Sequence, residues 1–193
     1  MKKIMFSDKF DLTEAVLSGR KTQTRRIYPD GTPLGNWAET VKKSRYQVGE
    51  VVAVAQSYAS IVDELEDPKN FCCMEHWESA GPKRAHYAGF LYHPGMTNKM
   101  FVSAKEMPHH IRITDVRVER LQDISYEDCI AEGVYILGED PMNPQAYIYT
   151  FPNSPEVYYH PCEAYAALID RISGKGTFES NPYVFVYEFE LIK

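Results

Sequence analysis

The sequence predicts an α+β fold in which a small, closed and mostly antiparallel β-barrel carries helices at its rim and two loop-rich insertions. The strand expected near 110–119 supports the barrel, because Ile111 and Ile113 share one face whereas Val116 and Val118 share the other. Such a change of phase indicates a β-bulge, which bends and twists a strand as closure of a small barrel requires. A second strand is expected at 51–57, where an apolar run on both faces is typical of a central position.

The N-terminal half is expected to begin with a short strand at 2–6, followed by an amphipathic helix at about 8–18. Gly19 falls at the position where a left-handed residue commonly ends a helix. Residues 59–105 combine an acidic patch with scattered aromatic residues and lack a clear period. We therefore expect this segment to be an insertion on a smaller core.

The second half of the chain is expected to contain another short helix before a second insertion. Ser125 suits the N-cap of this helix, with Asp128 three residues later in an approximate capping box, and Gly133 suits its end. Residues 136–158 are rich in Pro, Asn and Tyr. Their composition predicts a long loop that could act as a lid.

The last helix and the last strand have the most regular patterns. Pro161 suits the first turn of a helix that extends to Ser173, with four apolar residues recurring at i, i+3, i+4 and i+7. Residues 183–191 alternate in the manner of a strand, and 181–182 break the chain before it. The first half of this strand is expected to be buried on both faces.

Length and composition favour one compact domain, 1–193, with insertions at about 59–105 and 136–158. The chain has 193 residues, of which 44% are hydrophobic, and this fraction is sufficient for a substantial core. The N-terminus has charges but no apolar segment of the kind found in secretory signals, and no run approaches the length of a membrane span. We therefore expect a cytoplasmic protein that does not contact a membrane.

The four cysteines indicate neither a disulfide scaffold nor a standard zinc site, because they lack both the density of the first and the paired spacing of the second. We expect them to be reduced and mostly buried. Cys72 and Cys73, beside Glu75 and His76, could bind a metal, but two adjacent cysteines chelate poorly. The sequence accordingly predicts no metal site and no cofactor.

The charge distribution is more informative than the net charge of −6. Residues 1–50 contain ten Lys and Arg against six Asp and Glu, so the rest of the chain is strongly acidic. An acidic body argues against a protein that coats nucleic acid without specificity. A local cationic pocket suits a small anionic or polar ligand, and single-stranded RNA in a short groove stays an alternative.

The basic segment 19–26 places four cations and two hydroxyls directly after the first helix. Arg20 and Lys21 could simply stabilise the helix C-terminus, where cations are favoured by about 0.3–1 kcal/mol each. Alternatively, a corner between helix and strand would bring Lys21 and Thr24 to one pocket, with Arg26 on the same strand face as Thr24. Such a corner could bind a phosphate or activate Thr24 as a nucleophile.

The spacing of Gly19, Lys21, Thr24 and Arg26 resembles the signature of the ASCH domain, a PUA-like β-barrel family associated with RNA and modified nucleosides. The resemblance continues in order through three further segments: 46–50, 113–132 and 181–182. It therefore spans nearly the whole chain and is strongest for bacterial and phage-type ASCH proteins. It implies the PUA-like barrel and a nucleoside, a nucleotide or single-stranded RNA as partner, whereas no protein partner is implied.

Many ASCH proteins have Glu at the position of Thr24, and in this respect the chain is similar to the small bacterial N(4)-acetylcytidine amidohydrolases. The Lys, Thr and Glu site proposed for those shorter enzymes corresponds to Lys21, Thr24 and Glu132. The resemblance thus implies that Thr24 attacks an acyl carbon, Lys21 is the base or a polarising cation, and Glu132 orients the site. Without it, Glu132 at a helix C-terminus would be interpreted as a solvated surface acid.

Two functions therefore follow as expectations. The first is hydrolysis of an N(4)-acylated cytidine or a related base, with substrate contacts from Arg20, Arg25 and Arg26. The second is a binding module in which the same cations hold a phosphate or a flipped base in RNA without chemistry. A threonine that permits nucleophilic attack favours the enzyme.

Overall fold

The computed structural model describes residues 1–28, 35–66, 86, 90 and 92–192. Within these ranges the strands are β1 (Lys3–Ile4), β2 (Gln23–Ile27), β3 (Val51–Val54), β4 (His110–Arg120), β5 (Tyr135–Asp140), β6 (Asn143–Thr150) and β7 (Tyr183–Ile192). The α-helices are α1 (Leu12–Leu17), α2 (Trp37–Lys42), α3 (Tyr58–Glu66), α4 (Tyr126–Ala131) and α5 (Pro161–Ser173). None of these helices is both long enough and apolar enough to cross a membrane.

Five strands form a mixed sheet in the order β1-β3-β4-β7-β2, so the prediction of a closed, mostly antiparallel barrel is wrong. β1 pairs with β3 in parallel, whereas β2 and β7 are antiparallel. β1 and β2 stand at the two ends of this order. β1 has only two residues, which is too few for a ladder that would close the sheet. The class α+β is correct, but the sheet is mixed, and the described strands do not form a closed barrel.

The segment 136–158 is also different from the predicted loop. Most of it belongs to β5 and β6, which form a separate antiparallel two-stranded sheet with register shifts between Ile136 and Gly138 and between Glu139 and Asp140. The composition predicted a loop because the residues of β5 and β6 are partly polar and exposed. The apolar alternation that identifies a half-buried strand is therefore weak in this segment. This part of the fold is therefore a hairpin.

Several boundaries agree with the sequence. α5 begins at Pro161 and ends at Ser173, and the hydroxyl of Ser125 accepts a hydrogen bond from the N–H of Asp128 at the start of α4. Gly19 has φ of 74° and follows Ser18, the C-cap of α1, as expected for a left-handed residue that ends a helix. α2 and α3 were not expected; Asn36 caps α2 by accepting from the N–H of Glu39.

The chain divides into two compact units. The first comprises Met1–Phe6 and Val52–His110, and the second comprises Ser7–Val51 and Ile111–Lys193. Each unit draws on discontinuous parts of the sequence. The expectation of one domain with two insertions stays a prediction.

The first unit has a small apolar core beside β1 and β3. The buried members of this core are Ala53, Ala55, Tyr58, Ile61, Val102 and Met107. The Lys3 ammonium donates to the carbonyl oxygens of Lys99, Met100 and Val102. These bonds fix the loop before β4 to the first strand of the same unit.

In the second unit, β2 and β7 are paired so that Thr24 lies opposite Tyr187 and Arg25 lies opposite Val186. Because successive side chains of a strand point to opposite faces, Gln23 and Arg25 share one face, and Thr24 occupies the other. This register determines which side chains of the basic segment can meet.

Candidate active site

The Lys21 side chain makes a buried ion pair with Glu132. Its ammonium donates to Oε2 of the Glu132 carboxylate at 2.6 Å and to the backbone oxygen of Glu132, also at 2.6 Å. Lys21 is 2% exposed and Glu132 is 5% exposed. The interpretation of Glu132 as a solvated surface acid is therefore wrong. Residues 111 positions apart in sequence thus meet in the interior of the second unit.

Local backbone structure on both sides brings this pair together. The N–H of Lys21 donates to the oxygen of Ala15, and the N–H of Thr22 donates to the oxygen of Ala131 at the end of α4. Gly133 follows Glu132 with φ of 112°, and a Cβ there would lie 2.9 Å from Cδ2 of Leu12 and 3.9 Å from Cδ of Lys21. Glycine therefore allows the turn after α4 to approach the Leu12 side chain closely and to lie in ordinary contact with Lys21.

Arg25 lies on the other side of the same carboxylate. Its Nη1 donates to Oε1 of Glu132 at 3.2 Å, and its Nη2 donates to Glu119 and Asp128, each at 2.6 Å. The Arg25 side chain is 0% exposed. One guanidinium thus binds three carboxylates, and planar fork geometry is suited to this arrangement.

The two cations differ in the direction of their pKa shifts. Burial lowers the pKa of Lys21 below its ordinary value of 10.5, and the opposing effect of Glu132 does not restore it. For Arg25, burial also favours the neutral form, but Glu132, Tyr165 and Glu119 together raise the pKa. Lys21 is consequently the cation of this pair that can lose a proton.

A second layer of charged groups surrounds Arg25. Asp128 also accepts from Arg117 at 2.8 Å, and Arg117 pairs in turn with Glu188. Gln23 donates to Asp128 at 3.1 Å and accepts from Arg25 at 2.6 Å. Burial alone would raise the pKa of Asp128, but hydrogen bonding and charge from Arg25 lower it. This network holds α4 against β2 and thereby positions Glu132.

The opposite face of β2 is cationic and aromatic. Thr24 is 5% exposed and lies opposite Tyr187 in the register. The rings of Tyr46 and Tyr187 make an edge contact at 5.2 Å. Arg26 is near both rings and near Glu132, while burial lowers its pKa. The guanidinium of exposed Arg45 lies 5.6 Å from the Tyr46 ring.

The structure thus brings Lys21, Arg25 and Glu132 into direct contact. Thr24 is buried on β2, on the strand face opposite Arg25, and within the described residues its hydroxyl makes no hydrogen bond. Arg20 is exposed, and its Nε donates to the Ser18 hydroxyl. The proposed roles of all these residues stay predictions.

Sequence reasoning missed two of the three acids that accompany Arg25, Glu119 and Asp128. Asp128 on α4 and Glu132 at its C-cap are four residues apart, so their carboxylates lie on one helix face. Gln23 and Arg25 are two apart on a strand and share a face in the same way. These two spacings are the sequence signals that could have identified the charged cluster around Arg25. The contribution of Glu119 from β4 depends on the strand order and has no local signature.

Metal ligation has no support among the residues that are described, since no group of three or more His, Cys, Asp and Glu has the arrangement to hold an ion. Cys72 and Cys73, for which a metal was considered, lie outside the described residues. Cys129 is buried and Cys162 is partly buried, and both are free thiols.

Comparison with known proteins gives little further information. No family model matches the chain, and no curated protein matches it. Among solved structures, it is similar to a protein from Enterococcus faecalis V583 that is described as belonging to the family DUF984. The two are 12% identical, the match covers 100% of this chain and 77% of that one, and the TM-score is 0.44.

Proposed function

We propose that this chain hydrolyses an amide bond in a modified nucleoside, with an N(4)-acylated cytidine or cytosine as the substrate class. The observation that carries the proposal is the buried pair of Lys21 and Glu132, in which the pKa of Lys21 lies below its ordinary value. A lysine with a lowered pKa can act as a general base. The resemblance to ASCH proteins of the N(4)-acetylcytidine amidohydrolase type points to the same three residues, including Thr24.

Glu132 holds the Lys21 nitrogen with two acceptors, its carboxylate and its backbone oxygen. A neutral amine has two N–H groups and one lone pair, so it can keep both bonds while the lone pair accepts a proton. Glu132 therefore orients the base. Burial of both groups keeps water from competing for these bonds.

In the proposed reaction, Lys21 takes the proton of the Thr24 hydroxyl as the Thr24 oxygen bonds to the acyl carbon. The bond from carbon to N4 then breaks, and the nitrogen leaves with the proton from Lys21. Water hydrolyses the resulting ester, which releases the carboxylic acid and restores Thr24. This step requires the Thr24 hydroxyl to come within hydrogen-bond reach of the Lys21 nitrogen when the substrate is bound.

The test is turnover of N(4)-acetylcytidine by purified protein, followed as release of cytidine. Thr24→Ala is expected to reduce the rate by orders of magnitude, since it removes the nucleophile. Thr22→Ala is the matched control, because Thr22 is an exposed threonine two residues away and its loss is expected to leave turnover unchanged. No turnover by the unmodified chain, or undiminished turnover by Thr24→Ala, would refute the assignment.

The aromatic and cationic face of β2 favours a second candidate, in which the chain binds RNA without chemistry. Arg45 is exposed and Arg26 is partly exposed, so both offer phosphate contacts. The rings of Tyr46 and Tyr187 are buried in the free chain and would have to be uncovered before a base could stack on them. Affinity of this origin should decrease steeply between low and moderate salt. Salt-sensitive binding of single-stranded RNA without turnover of the nucleoside would favour this candidate over the enzyme.

A further inference from the structure

Two cysteine thiols face each other in the second unit, outside the proposed active site. Sγ of Cys129 on α4 lies 3.5 Å from Sγ of Cys162 on α5. Both are free thiols, and Cys129 is buried while Cys162 is partly exposed. The separation of their sulfur atoms is that of two thiols in contact. A disulfide has a sulfur-to-sulfur distance of about 2.05 Å, so bond formation requires an approach of about 1.5 Å.

We propose that Cys129 and Cys162 form a site of reversible oxidation, at which a peroxide converts the two thiols into an intramolecular disulfide. The proposal rests on the geometry of the pair and is independent of the amidohydrolase reaction. The positions of the two cysteines also assign different roles to them.

Cys162 is the thiol that reacts first. It is the second residue of α5, a helix of 13 residues. Its N–H also donates to Nδ1 of the N-cap residue His160 at 3.3 Å, which fixes its position at the helix start. Because Cys162 is partly exposed, a small oxidant can reach it.

Cys129 is the thiol that resolves the first product. Burial and the neighbouring Cys162 raise the pKa of its thiol, so it does not react with a dissolved oxidant on its own. It is nevertheless in contact with the sulfur of Cys162. A thiol held against a sulfenic acid reacts with it rapidly to give a disulfide.

The chemistry balances with hydrogen peroxide as the oxidant. The Cys162 thiolate attacks one peroxide oxygen, the O–O bond breaks, and a sulfenic acid and hydroxide are formed. The hydroxide takes up the proton that the Cys162 thiol lost on ionisation and becomes water. The Cys129 sulfur then attacks the Cys162 sulfur, so that the S–S bond forms and the S–O bond breaks. The hydroxide that leaves takes the Cys129 proton as water. Two thiols are oxidised and one peroxide is reduced to two waters.

The disulfide would join α5 covalently to the helix that carries the acids of the site. Cys129 directly follows Asp128, which pairs with Arg25, and it precedes Glu132 by three residues. Oxidation therefore limits how far α4 can move from α5. A small thiol reductant would reverse the link.

Peptide mapping of the intact chain tests the proposal. The purified protein is treated with hydrogen peroxide, free thiols are blocked by alkylation, and a protease that cuts after Glu is used without reductant. Its sites separate the cysteines into the peptides 128–132 and 157–163. The expected product is these two peptides joined, with a mass lower by two hydrogen atoms than their sum, and it should disappear after treatment with dithiothreitol.

Two single variants separate the roles. Cys162→Ala is expected to leave Cys129 unmodified at the same peroxide dose, because the reactive partner is absent. Cys129→Ala is expected to leave Cys162 as a sulfenic acid that dimedone traps. The proposal would be overturned if the peroxide joined Cys162 to Cys72 or Cys73 instead, or if both thiols alkylated fully after treatment.

Discussion

On one side of the Glu132 carboxylate, Oε1 accepts from Arg25, and on the other side, Oε2 accepts from Lys21. Both cations are almost completely buried, yet their pKa values move in opposite directions. Arg25 binds three carboxylates, whereas Lys21 pairs with Glu132 and is repelled by two neighbouring guanidinium groups. Burial lowers the pKa of Lys21 more than Glu132 raises it, whereas the acids around Arg25 outweigh the effect of its burial.

The Glu132 carboxylate therefore has a structural side, where Oε1 accepts from Arg25, and a chemical side, where Oε2 accepts from Lys21. The Arg25 side connects β2 with β4 and α4 through permanent charges. The Lys21 side is formed by a tight backbone turn and holds a group that can release its proton. The substitutions below act on the two sides separately.

The largest effect is expected for Arg25→Leu. The change leaves the carboxylates of Glu119, Asp128 and Glu132 together without their shared cation, and breaking a buried pair in this way costs about 3–5 kcal/mol. Urea denaturation measures this loss of stability as a decrease in the free energy of unfolding. Arg20→Leu is the control, because Arg20 is exposed and its replacement should change stability by under about 0.5 kcal/mol. Equal effects of the two substitutions would show that the network around Arg25 does not stabilise the fold.

A smaller effect is expected for Gly133→Ala on the Lys21 side. The residue has φ of 112°, and the added Cβ would meet the Leu12 side chain at 2.9 Å, so we expect a loss of about 2–3 kcal/mol. Gly174→Ala is the matched control, since Gly174 has φ of 111° but no atom within 4 Å of the added Cβ. Thermal unfolding of both variants separates the contact with Leu12 from the cost of the backbone conformation. If both lose the same stability, close approach to the Lys21 turn is unimportant.

A still smaller, pH-dependent effect is expected for Asp128→Asn. Since Arg25 lowers the pKa of Asp128 below 3.8, the carboxylate stabilises the fold above pH 3.8 and loses this effect as pH falls through the lowered pKa. We expect the variant to lose about 1–2 kcal/mol at neutral pH and to unfold with a weaker dependence on acid. Glu127→Gln, an exposed change on the same helix, should keep the acid dependence. If stability of the Asp128→Asn variant depended on acid as strongly as before, Asp128 could not be the source of that dependence.

The sequence predicted those parts of the fold that are specified by local interactions. Pro161 and the apolar stripe defined α5, and Ser125 and Gly133 defined the ends of α4. The barrel was wrong because closure depends on which strands become neighbours, and a two-residue strand at one end of the sheet cannot provide it. The hairpin of β5 and β6 was missed because a partly exposed strand does not require apolar alternation.

The candidate site likewise combines residues that the sequence could identify with contacts that it could not predict. Lys21, Thr24 and Glu132 could be selected by resemblance, and the helix end at Glu132 could be predicted. The contact of Glu132 with Lys21 could not be inferred from spacing, because the two lie on segments 111 residues apart. The direction of the Lys21 pKa depends mainly on burial, which a linear sequence does not show, although the nearby Arg25 and Arg26 that act in the same direction are visible in it.

The most direct test of the difference between Lys21 and Arg25 is the pKa of the Lys21 ammonium in the folded protein. Carbon-13 labelling of lysine allows the Cε signal to be followed by NMR against pH, with Lys21→Arg to identify the signal. We expect Lys21 to titrate below 10.5, and to titrate lower still in Glu132→Gln, because Glu132 raises its pKa. A Lys21 that titrates at or above 10.5 would contradict its assignment as the base and would leave the ion pair with a purely structural role.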